Sequence, residues 1–222
     1  MGQASLASVQ IGKPQSLGSD GATDPFDAAW TSGIFKNTVA GSVRISSAGV
    51  EGDAQADLAV HGGPDKAICA YSANHYPGWR RTLGLTPFEH GAFGENFTIG
   101  GLTEDDVCIG DTWEIGGALI QVSQPRQPCW KLARKWRIKT LTDLVVKSGQ
   151  TGWYFRVLRE GVVSAGMTFT LVDRPNPRWT ISAANNVMHH RKADRDAAAT
   201  LAAVPLLSSS WRESLTRRAT QG

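Results

Sequence analysis

The segment around Cys129 carries the residue types best suited to bind a metal or to attack an electrophile. A strand is predicted to end at Ser123, and Pro125 interrupts further pairing. A helix is predicted to begin at Pro128, because the missing N–H of proline costs nothing at that position. Cys129 then lies in the first helical turn, where unsatisfied N–H groups and the helix dipole favour an anion. Four basic residues add positive charge around the sulfur: Arg126, Lys131, Arg134 and Lys135.

This environment favours the thiolate of Cys129, which is the form that binds transition metals and acts as a nucleophile. The alternative is a buried structural cysteine, since unpaired cysteine is among the most buried residue types. That alternative is preferred for Cys69 and Cys108, which lie in apolar runs and are predicted to pack within strands. Three cysteines without a C-x-x-C spacing argue against a disulfide framework and a structural zinc site. A reducing, cytoplasmic location is therefore expected.

Polar residues in three other loops are candidates for binding a ligand. Asp53 and Asp57 precede His61, which is followed by two glycines that allow a ligand to approach the backbone closely. Turn formation alone explains aspartate beside glycine, so a hard-metal site here is the weaker interpretation. Asn96 can donate and accept hydrogen bonds at the edge of a heterocycle. Lys36 can direct a cation at a phosphate, although most lysines simply face solvent.

The composition is that of an ordinary globular protein and excludes several classes of function. The chain has 222 residues, 41% of them hydrophobic and 19% charged, with a formal net charge of +3. So mild a charge does not predict binding to nucleic acid. No basic segment followed by an apolar run opens the sequence, and no apolar run approaches the roughly 20 residues that cross a bilayer. We therefore expect no contact with membranes.

Short strands separated by glycine predict a mixed α/β fold that is mainly β and contains a barrel. Two helices are expected within this region, at residues 72–83 and 128–147, from apolar residues at helical spacing. Strands 32–36 and 39–45 are predicted to form a hairpin. The other predicted strands span residues 8–12, 67–71, 118–123, 152–159 and 167–172.

Two prolines within residues 173–177 predict a hinge, after which the composition becomes rich in alanine and serine. Three short helices are predicted there. The first spans residues 181–191, the second begins at Asp194 as its N-cap, and the third follows a capping box from Ser210 to Glu213. The chain is thus divided into a barrel domain, residues 1–174, and a small three-helix domain, residues 175–222.

Five motifs in order along the chain resemble those of the MOSC domain family, in its YiiM-type branch of 6-N-hydroxylaminopurine resistance proteins. The resemblance runs from about residue 7 to residue 172, and the small three-helix extension of that branch fits residues 177–222. The motifs are SGIFK (32–36), EGDAQAD followed by HGG (51–63), AFGEN (92–96), GLTEDDVCIGD (101–111) and QPRQPCWKL (124–132).

The resemblance implies a MOSC-type β-barrel with peripheral helices that holds the molybdenum cofactor, molybdopterin. By motif position, Cys129 is the molybdenum ligand, and Lys36, His61, Asn96 and Arg126 help to hold the pterin and its phosphate. The implied activity is reduction of small N-hydroxylated substrates such as 6-hydroxylaminopurine to amines. His61 is the expected catalytic partner of Cys129 and the expected proton donor.

The sequence also limits where the electrons come from. Three cysteines do not provide the set that holds an iron–sulfur cluster, and no G-x-G-x-x-G motif is present. A separate flavin or ferredoxin-type reductase is therefore the expected electron donor.

Two other functions remain open from the residues alone. The first is a metal-free enzyme with Cys129 as nucleophile, His61 as base, and Asp57 or Asn96 as the residue that orients the base. The second is a carrier that passes the molybdenum cofactor or sulfur to another protein without catalysis of its own. Loss of activity on alkylation without metal would indicate the former, and a loaded but inert protein the latter.

Overall fold

A curled sheet forms the frame of the computed structural model, which describes residues 3–57 and 62–220. The strands of the described chain are β1 (Ser5–Ile11), β2 (Gln15–Leu17), β3 (Trp30–Ser32), β4 (Asn37–Thr38), β5 (Val43–Ser46), β6 (Gly49–Val50), β7 (Ile68–Ser72), β8 (Phe97–Gly100), β9 (Thr112–Ile115), β10 (Ala118–Pro125), β11 (Trp153–Arg159), β12 (Gly161–Val163) and β13 (Thr170–Asp173). The α-helices are α1 (Tyr76–Leu83), α2 (Trp130–Trp136), α3 (Leu141–Ser148), α4 (Ile181–Asn185), α5 (Arg195–Ala202) and α6 (Ser209–Thr220).

The main sheet has eight strands in the order β13, β9, β10, β11, β7, β8, β1 and β4. Its neighbouring strands are antiparallel, except that β7 and β8 are parallel. The two ends of the sheet meet, because the N–H of Leu6 donates to Met167 and the N–H of Phe169 donates to Ala4, at 2.8 and 2.9 Å. The sheet therefore curls around its apolar core, which confirms the predicted mainly β, barrel-containing fold.

Side chains of the central strands point alternately to the inner and the outer face of the sheet, and an apolar layer lies on each face. In β11, Trp153 and Phe155 are buried and face the inside of the curled sheet, where they pair with Ala70 and Ile68 of β7. The next residue along, Tyr154, points to the opposite face and pairs with Cys69. That outer face is covered by α1, α2 and α3, so β7 is buried on both sides.

The predicted hairpin between residues 32–36 and 39–45 is wrong. Strand β3 pairs with β2, β4 pairs with the end of β1, and β5 pairs with β6 and β12. Residues 33–36 do not pair as a strand because they approach the loop after β6. There Lys36 forms an ion pair with Asp53, and Gly33 lies so close to the Ala54 carbonyl that a Cβ would come within 2.4 Å of it.

The predicted helix at residues 128–147 is two helices, and it does not begin at Pro128. Cys129 has extended backbone angles, φ −93° and ψ 148°, and its carbonyl accepts the N–H of Leu132, so Cys129 is the N-cap and α2 begins at Trp130. Helix α2 ends at Arg137, which adopts a left-handed φ of 54°. The exposed Arg137 guanidinium forms ion pairs with Asp24 and Asp27 at 3.0 and 2.5 Å.

The C-terminal helices are confirmed in number. Helix α4 continues as a π-helical turn, Asn186–His190, and the Asp194 carboxylate accepts the N–H of Ala197 as the predicted N-cap of α5. The predicted capping box at Ser210 is wrong. Ser208 caps α6 instead, with its hydroxyl accepting the N–H of Trp211, while Ser210 donates to Gln124 of β10.

The segment predicted as a hinge is held firmly to the barrel. Arg174 donates to both oxygens of the buried Asp111 carboxylate, at 3.0 and 2.6 Å. Apolar side chains of α4 and α6, including Ile181 and Trp211, join the same cluster as the barrel interior. The boundary between residues 174 and 175 remains a prediction. Among the described residues, no helix combines the length and apolar character needed to cross a bilayer.

His189, in the π-helical turn, makes the stability of the fold dependent on pH. Its Nε2 atom is buried without a hydrogen-bond partner in the described structure. Burial, followed by the charges of His190 and Lys192, lowers its pKa to about 4. The unfolded chain therefore binds more protons than the folded chain between about pH 4 and pH 6.5, and stability falls as the pH falls through that window.

We predict that the urea midpoint of the wild type falls more between pH 6.5 and pH 4.5 than that of His189→Gln, which lacks the titrating group. Urea unfolding at several pH values measures this difference. Val172→Ala is the control, because Val172 is 55% exposed and carries no titrating group, and it should retain the wild-type slope. Equal slopes for the wild type and His189→Gln would contradict the prediction.

Candidate functional site

A pocket on the outer face of the sheet, beside the start of α2, collects most of the predicted site residues. It contains about 670 Å³ of empty space, part of it open to solvent. Cys129, Arg126, Asn96 and Lys36 all line it, and their roles remain predictions. His61 lies outside the described residues. The lining residues that were not predicted as part of the site include Cys69 and Tyr154.

Cys129 is placed at the pocket by the end of β10 and the start of α2. Its side chain is partly exposed, whereas Cys69 and Cys108 are buried. The Cys129 carbonyl accepts the N–H of Leu132 at 3.0 Å and the hydroxyl of Thr142 at 3.4 Å. The backbone around the thiol is therefore fixed by α2 and α3, while the sulfur remains accessible from the pocket.

Arg126 provides a buried positive charge in the wall of the same pocket. Only 6% of the residue is exposed, and its Nη2 atom donates to the Phe93 carbonyl at 2.6 Å. Its Nη1 atom has no hydrogen-bond partner in the described structure. Burial lowers the pKa of Arg126, but the surrounding acidic groups, Glu95 among them, outweigh this and raise it. An unpartnered guanidinium N–H in a pocket wall is suited to bind an anion.

Cys69 and Tyr154 lie side by side in the pocket wall. They are direct partners in the β7–β11 register. Burial raises the pKa of the Cys69 thiol and of the Tyr154 phenol, so both are neutral near pH 7. Cys69 is buried in a strand as expected, but it also faces the pocket. The sequence signal for this pocket-facing position is the alternation of inward and outward side chains in β11. Tyr154 lies between the core residues Trp153 and Phe155 and therefore points to the outer face.

The Asp53 carboxylate joins three segments behind the pocket. It accepts hydrogen bonds from the Lys36 ammonium group, from the N–H of Gly12 at 2.8 Å and from the Asn96 amide at 2.9 Å. The side chains of Lys36 and Asp53 are only 5% and 2% exposed. The positive charge of Lys36 is thus balanced inside the protein.

Both N–H bonds of the Asn96 amide and one lone pair of its oxygen are used within the protein. Its oxygen accepts the N–H of Cys69 at 3.1 Å, and its amide nitrogen donates to Asp53 and to the Gln10 carbonyl. The predicted contact of Asn96 with a heterocycle edge would compete with these bonds. In this geometry, Asn96 shapes the pocket wall and fixes the position of Cys69.

The basic residues of α2 bind the segment of residues 26–34. Lys131, Arg134 and Lys135 were expected to surround Cys129 with charge, and their head groups instead donate to backbone carbonyls: Lys131 to Thr31, Arg134 to Phe26 and Ala28, and Lys135 to Ile34 and Gly91. Burial, with Arg126 and Lys36 adding to it, lowers the pKa of Lys135 to about 8. These bonds hold residues 32–34 as one wall of the pocket.

Within residues 3–57 and 62–220, no three His, Cys, Asp or Glu side chains are arranged to hold a metal ion. Asp53 pairs with Lys36, which argues against its expected alternative role as a hard-metal ligand. Cys129 is the partly exposed sulfur at the pocket.

Cys129, Arg126, Asn96, Cys69 and Tyr154 lie within a recognised domain. The model of the MOSC domain matches residues 57–170, and that of the YiiM-like 3-alpha helix domain matches residues 179–222. The chain belongs to the YiiM-type branch of the MOSC domain family. The predicted family is thereby confirmed, and the three-helix extension is confirmed with it.

Relatives of this MOSC chain align over nearly its full length. YflK of Bacillus subtilis, itself uncharacterized, is 43% identical over 96% of this chain and 94% of its own. YiiM of Escherichia coli is 39% identical over 86% of each chain. The crystal structure of YiiM from Geobacillus stearothermophilus superposes with a TM-score of 0.81, at 39% identity over 97% of this chain and 99% of that chain. A protein of Gibberella moniliformis named Reductase is 34% identical over 79% of this chain and 32% of its own length.

The buried pair of Lys36 and Asp53 generates a stability prediction. Asp53→Asn leaves the Lys36 ammonium group without its counter-charge, so we expect the free energy of unfolding to fall by about 3 kcal/mol. The double variant Lys36→Met with Asp53→Asn should recover part of this loss, because neither charge is then buried unpaired.

Urea unfolding of the wild type, both single variants and the double variant measures this coupling. Glu160→Gln is the control, because Glu160 forms an exposed pair with Arg44, and it should leave the midpoint unchanged. Additive effects of the two single variants would show that the two charges do not interact.

The exposure of the three cysteines predicts their order of reaction. Iodoacetamide should modify Cys129 first in the native protein, because Cys69 and Cys108 are buried and burial raises the pKa of both thiols. Mass spectrometry of peptides from a time course measures the order, and Cys108→Ala should leave the rate at Cys129 unchanged. Modification of Cys69 or Cys108 at the rate of Cys129 would contradict it.

Proposed function

We propose that this MOSC protein is a molybdenum-cofactor-dependent reductase of N-hydroxylated compounds, with Cys129 as the protein ligand of molybdenum. The observation that carries the proposal is the accessible sulfur of Cys129 in one pocket with the unpartnered N–H of Arg126. Family membership supports it, and a relative that is named Reductase agrees with the class of reaction.

The residues of the pocket fit the molybdenum cofactor. A cysteine sulfur is a soft ligand of the kind that suits a transition metal. The cofactor is an anion, and the free Nη1 group of Arg126 offers it a charge-assisted hydrogen bond in a buried wall. Arg126 is better placed for this role than Lys36, whose charge is balanced by Asp53. The proposed contacts of Asn96 and His61 with the pterin are less supported, since Asn96 is bonded within the protein and His61 is not described.

The reaction removes one oxygen atom from nitrogen. The N–O bond of R–NHOH breaks, two electrons and two protons are taken up, and the products are R–NH₂ and water. When bound, the molybdenum cofactor would supply the electron pair for this reduction. The chain holds the cofactor through Cys129, balances negative charge through Arg126, and lines the reaction space with the neutral hydrogen-bonding groups of Cys69 and Tyr154.

The proposal requires partners for electrons and protons. A separate flavin or ferredoxin-type reductase provides the electrons in this scheme, because the three cysteines of the chain are too few for an iron–sulfur cluster. His61 remains the proposed proton donor. The alternative with Cys129 as a metal-free nucleophile gains no support from Asn96, whose amide is bonded to Cys69, Gln10 and Asp53 instead of orienting a base.

Metal analysis tests the proposal directly. The wild type, Cys129→Ala and Cys108→Ala are produced in a host that makes the molybdenum cofactor, and molybdenum and pterin are quantified after gel filtration. We expect near-stoichiometric molybdenum in the wild type and in Cys108→Ala, and its loss from Cys129→Ala. The loaded wild type should reduce 6-hydroxylaminopurine when supplied with a reductant.

The two alternative functions predict different results in the same experiment. A wild type without molybdenum or pterin, from a host that loads other molybdenum enzymes, would exclude the proposal and favour the cysteine nucleophile. A wild type that is loaded but inert toward N-hydroxylated compounds would identify a carrier.

A further inference from the structure

An exposed tryptophan lies directly beside the proposed metal ligand. Trp130 follows Cys129 in the chain and is 54% exposed. The other large hydrophobic side chains with such exposure in the described residues are aliphatic: Leu158, Val162, Leu171 and Val172. An exposed indole next to a pocket residue offers a large, rigid apolar face to a ligand.

Trp130 forms an ordered aromatic pair with Trp30. The two ring centroids are 6.1 Å apart and the planes are inclined at 48°. The Arg134 guanidinium lies 5.3 Å from the ring of Trp30 and 5.4 Å from that of Trp130, within the range of cation–π attraction. Arg134 is itself held by the Phe26 and Ala28 carbonyls. The pair is therefore organised before any ligand arrives.

Neither ring of the aromatic pair lines the pocket, but each belongs to a segment that does. Trp130 lies between the lining residues Cys129 and Lys131, and Trp30 lies two residues before the lining residue Ser32. Lys131 connects the two sides, because its Nζ atom donates to the Thr31 carbonyl at 2.9 Å and lies 5.8 Å from the Trp130 ring. An ammonium group has three N–H bonds, so Lys131 can also donate to a ligand.

We propose that Trp130, supported by Trp30, is a specificity-determining residue on which a flat aromatic substrate stacks while its N–OH group enters the pocket toward Cys129. Aromatic rings offer π-faces to an indole, and stacking of a base on an aromatic side chain contributes about 1–3 kcal/mol, or roughly 5–150-fold in affinity. Aliphatic N-hydroxylated compounds have no such face. This inference rests on the proposed reductase function and selects among its substrates.

Binding measurements on the cofactor-loaded protein test the inference with two probes. The planar probe is 6-hydroxylaminopurine, and the aliphatic probe is acetohydroxamic acid. Trp130→Leu retains an apolar side chain without a π-face, whereas Trp130→Phe retains the face. Calorimetric titration should show that Trp130→Leu weakens binding of 6-hydroxylaminopurine by about tenfold and that Trp130→Phe stays within about threefold of the wild type. Neither variant should change binding of acetohydroxamic acid.

Steady-state kinetics provide a second readout. For 6-hydroxylaminopurine, Trp130→Leu should raise KM and leave kcat near the wild-type value, because stacking is present before and during the reaction. Val172→Ala is the matched control, since Val172 is 55% exposed on the edge strand β13, and it should change neither constant. Molybdenum content and thermal midpoint of each variant show that folding and loading are intact.

Several outcomes would overturn the inference. One is unchanged binding of 6-hydroxylaminopurine in Trp130→Leu. Another is an equal loss for both probes, which would indicate a general distortion of the pocket. A third is a change confined to the rate with the electron-donor protein, which would make Trp130 a docking residue. If the wild type reduces neither probe, the proposed function fails, but binding of the planar probe that depends on Trp130 still supports stacking on Trp130.

Discussion

The pocket depends on the hydrogen bonds and the ion pair that the buried Asp53 carboxylate forms. This carboxylate lies almost completely out of water and connects the end of β1, the segment that carries Lys36, and the loop that carries Asn96. A buried carboxylate is stable only when it is paired and fully hydrogen-bonded. Each of these contacts therefore constrains the others, and through Asn96 they extend to the N–H of Cys69 in the pocket wall. These contacts hold one wall of the pocket rigid, and the opposite side carries the partly exposed Cys129.

That opposite side is held by electrostatics of a different kind. The cations of α2 bind carbonyl oxygens of residues 26–34, so this segment, which includes the short strand β3, lies in a defined position over a short helix. The same cations contact the aromatic rings of that segment and of α2. The positive charge near Cys129 thus has a structural use, and the buried Arg126 retains a donor for a ligand.

The sequence predicted the fold class, most of the central strands and four pocket residues, because alternation and local motifs are properties of short segments. It did not predict the partners of β3, β4 and β5, since pairing depends on segments far apart in the chain. Cys69 was interpreted as a packing residue because β7 is buried on both faces, and only its register with Tyr154 reveals which face it shares. The prediction that α2 begins at Pro128 is wrong, because a proline also suits the extended backbone that leads to the N-cap residue Cys129.

The register between Cys69 and Tyr154 determines that the sheet must fold before the pocket can bind a ligand. The pocket wall is complete only after β11 has paired with β7, and these strands are separated by helices α1, α2 and α3. A nascent chain that lacks its last third thus has Cys129 but no recess around it. Any ligand of the pocket must bind after the sheet has formed, and it then stabilises the folded state by mass action. Ligand supply would therefore set how long a newly made molecule resists unfolding and degradation.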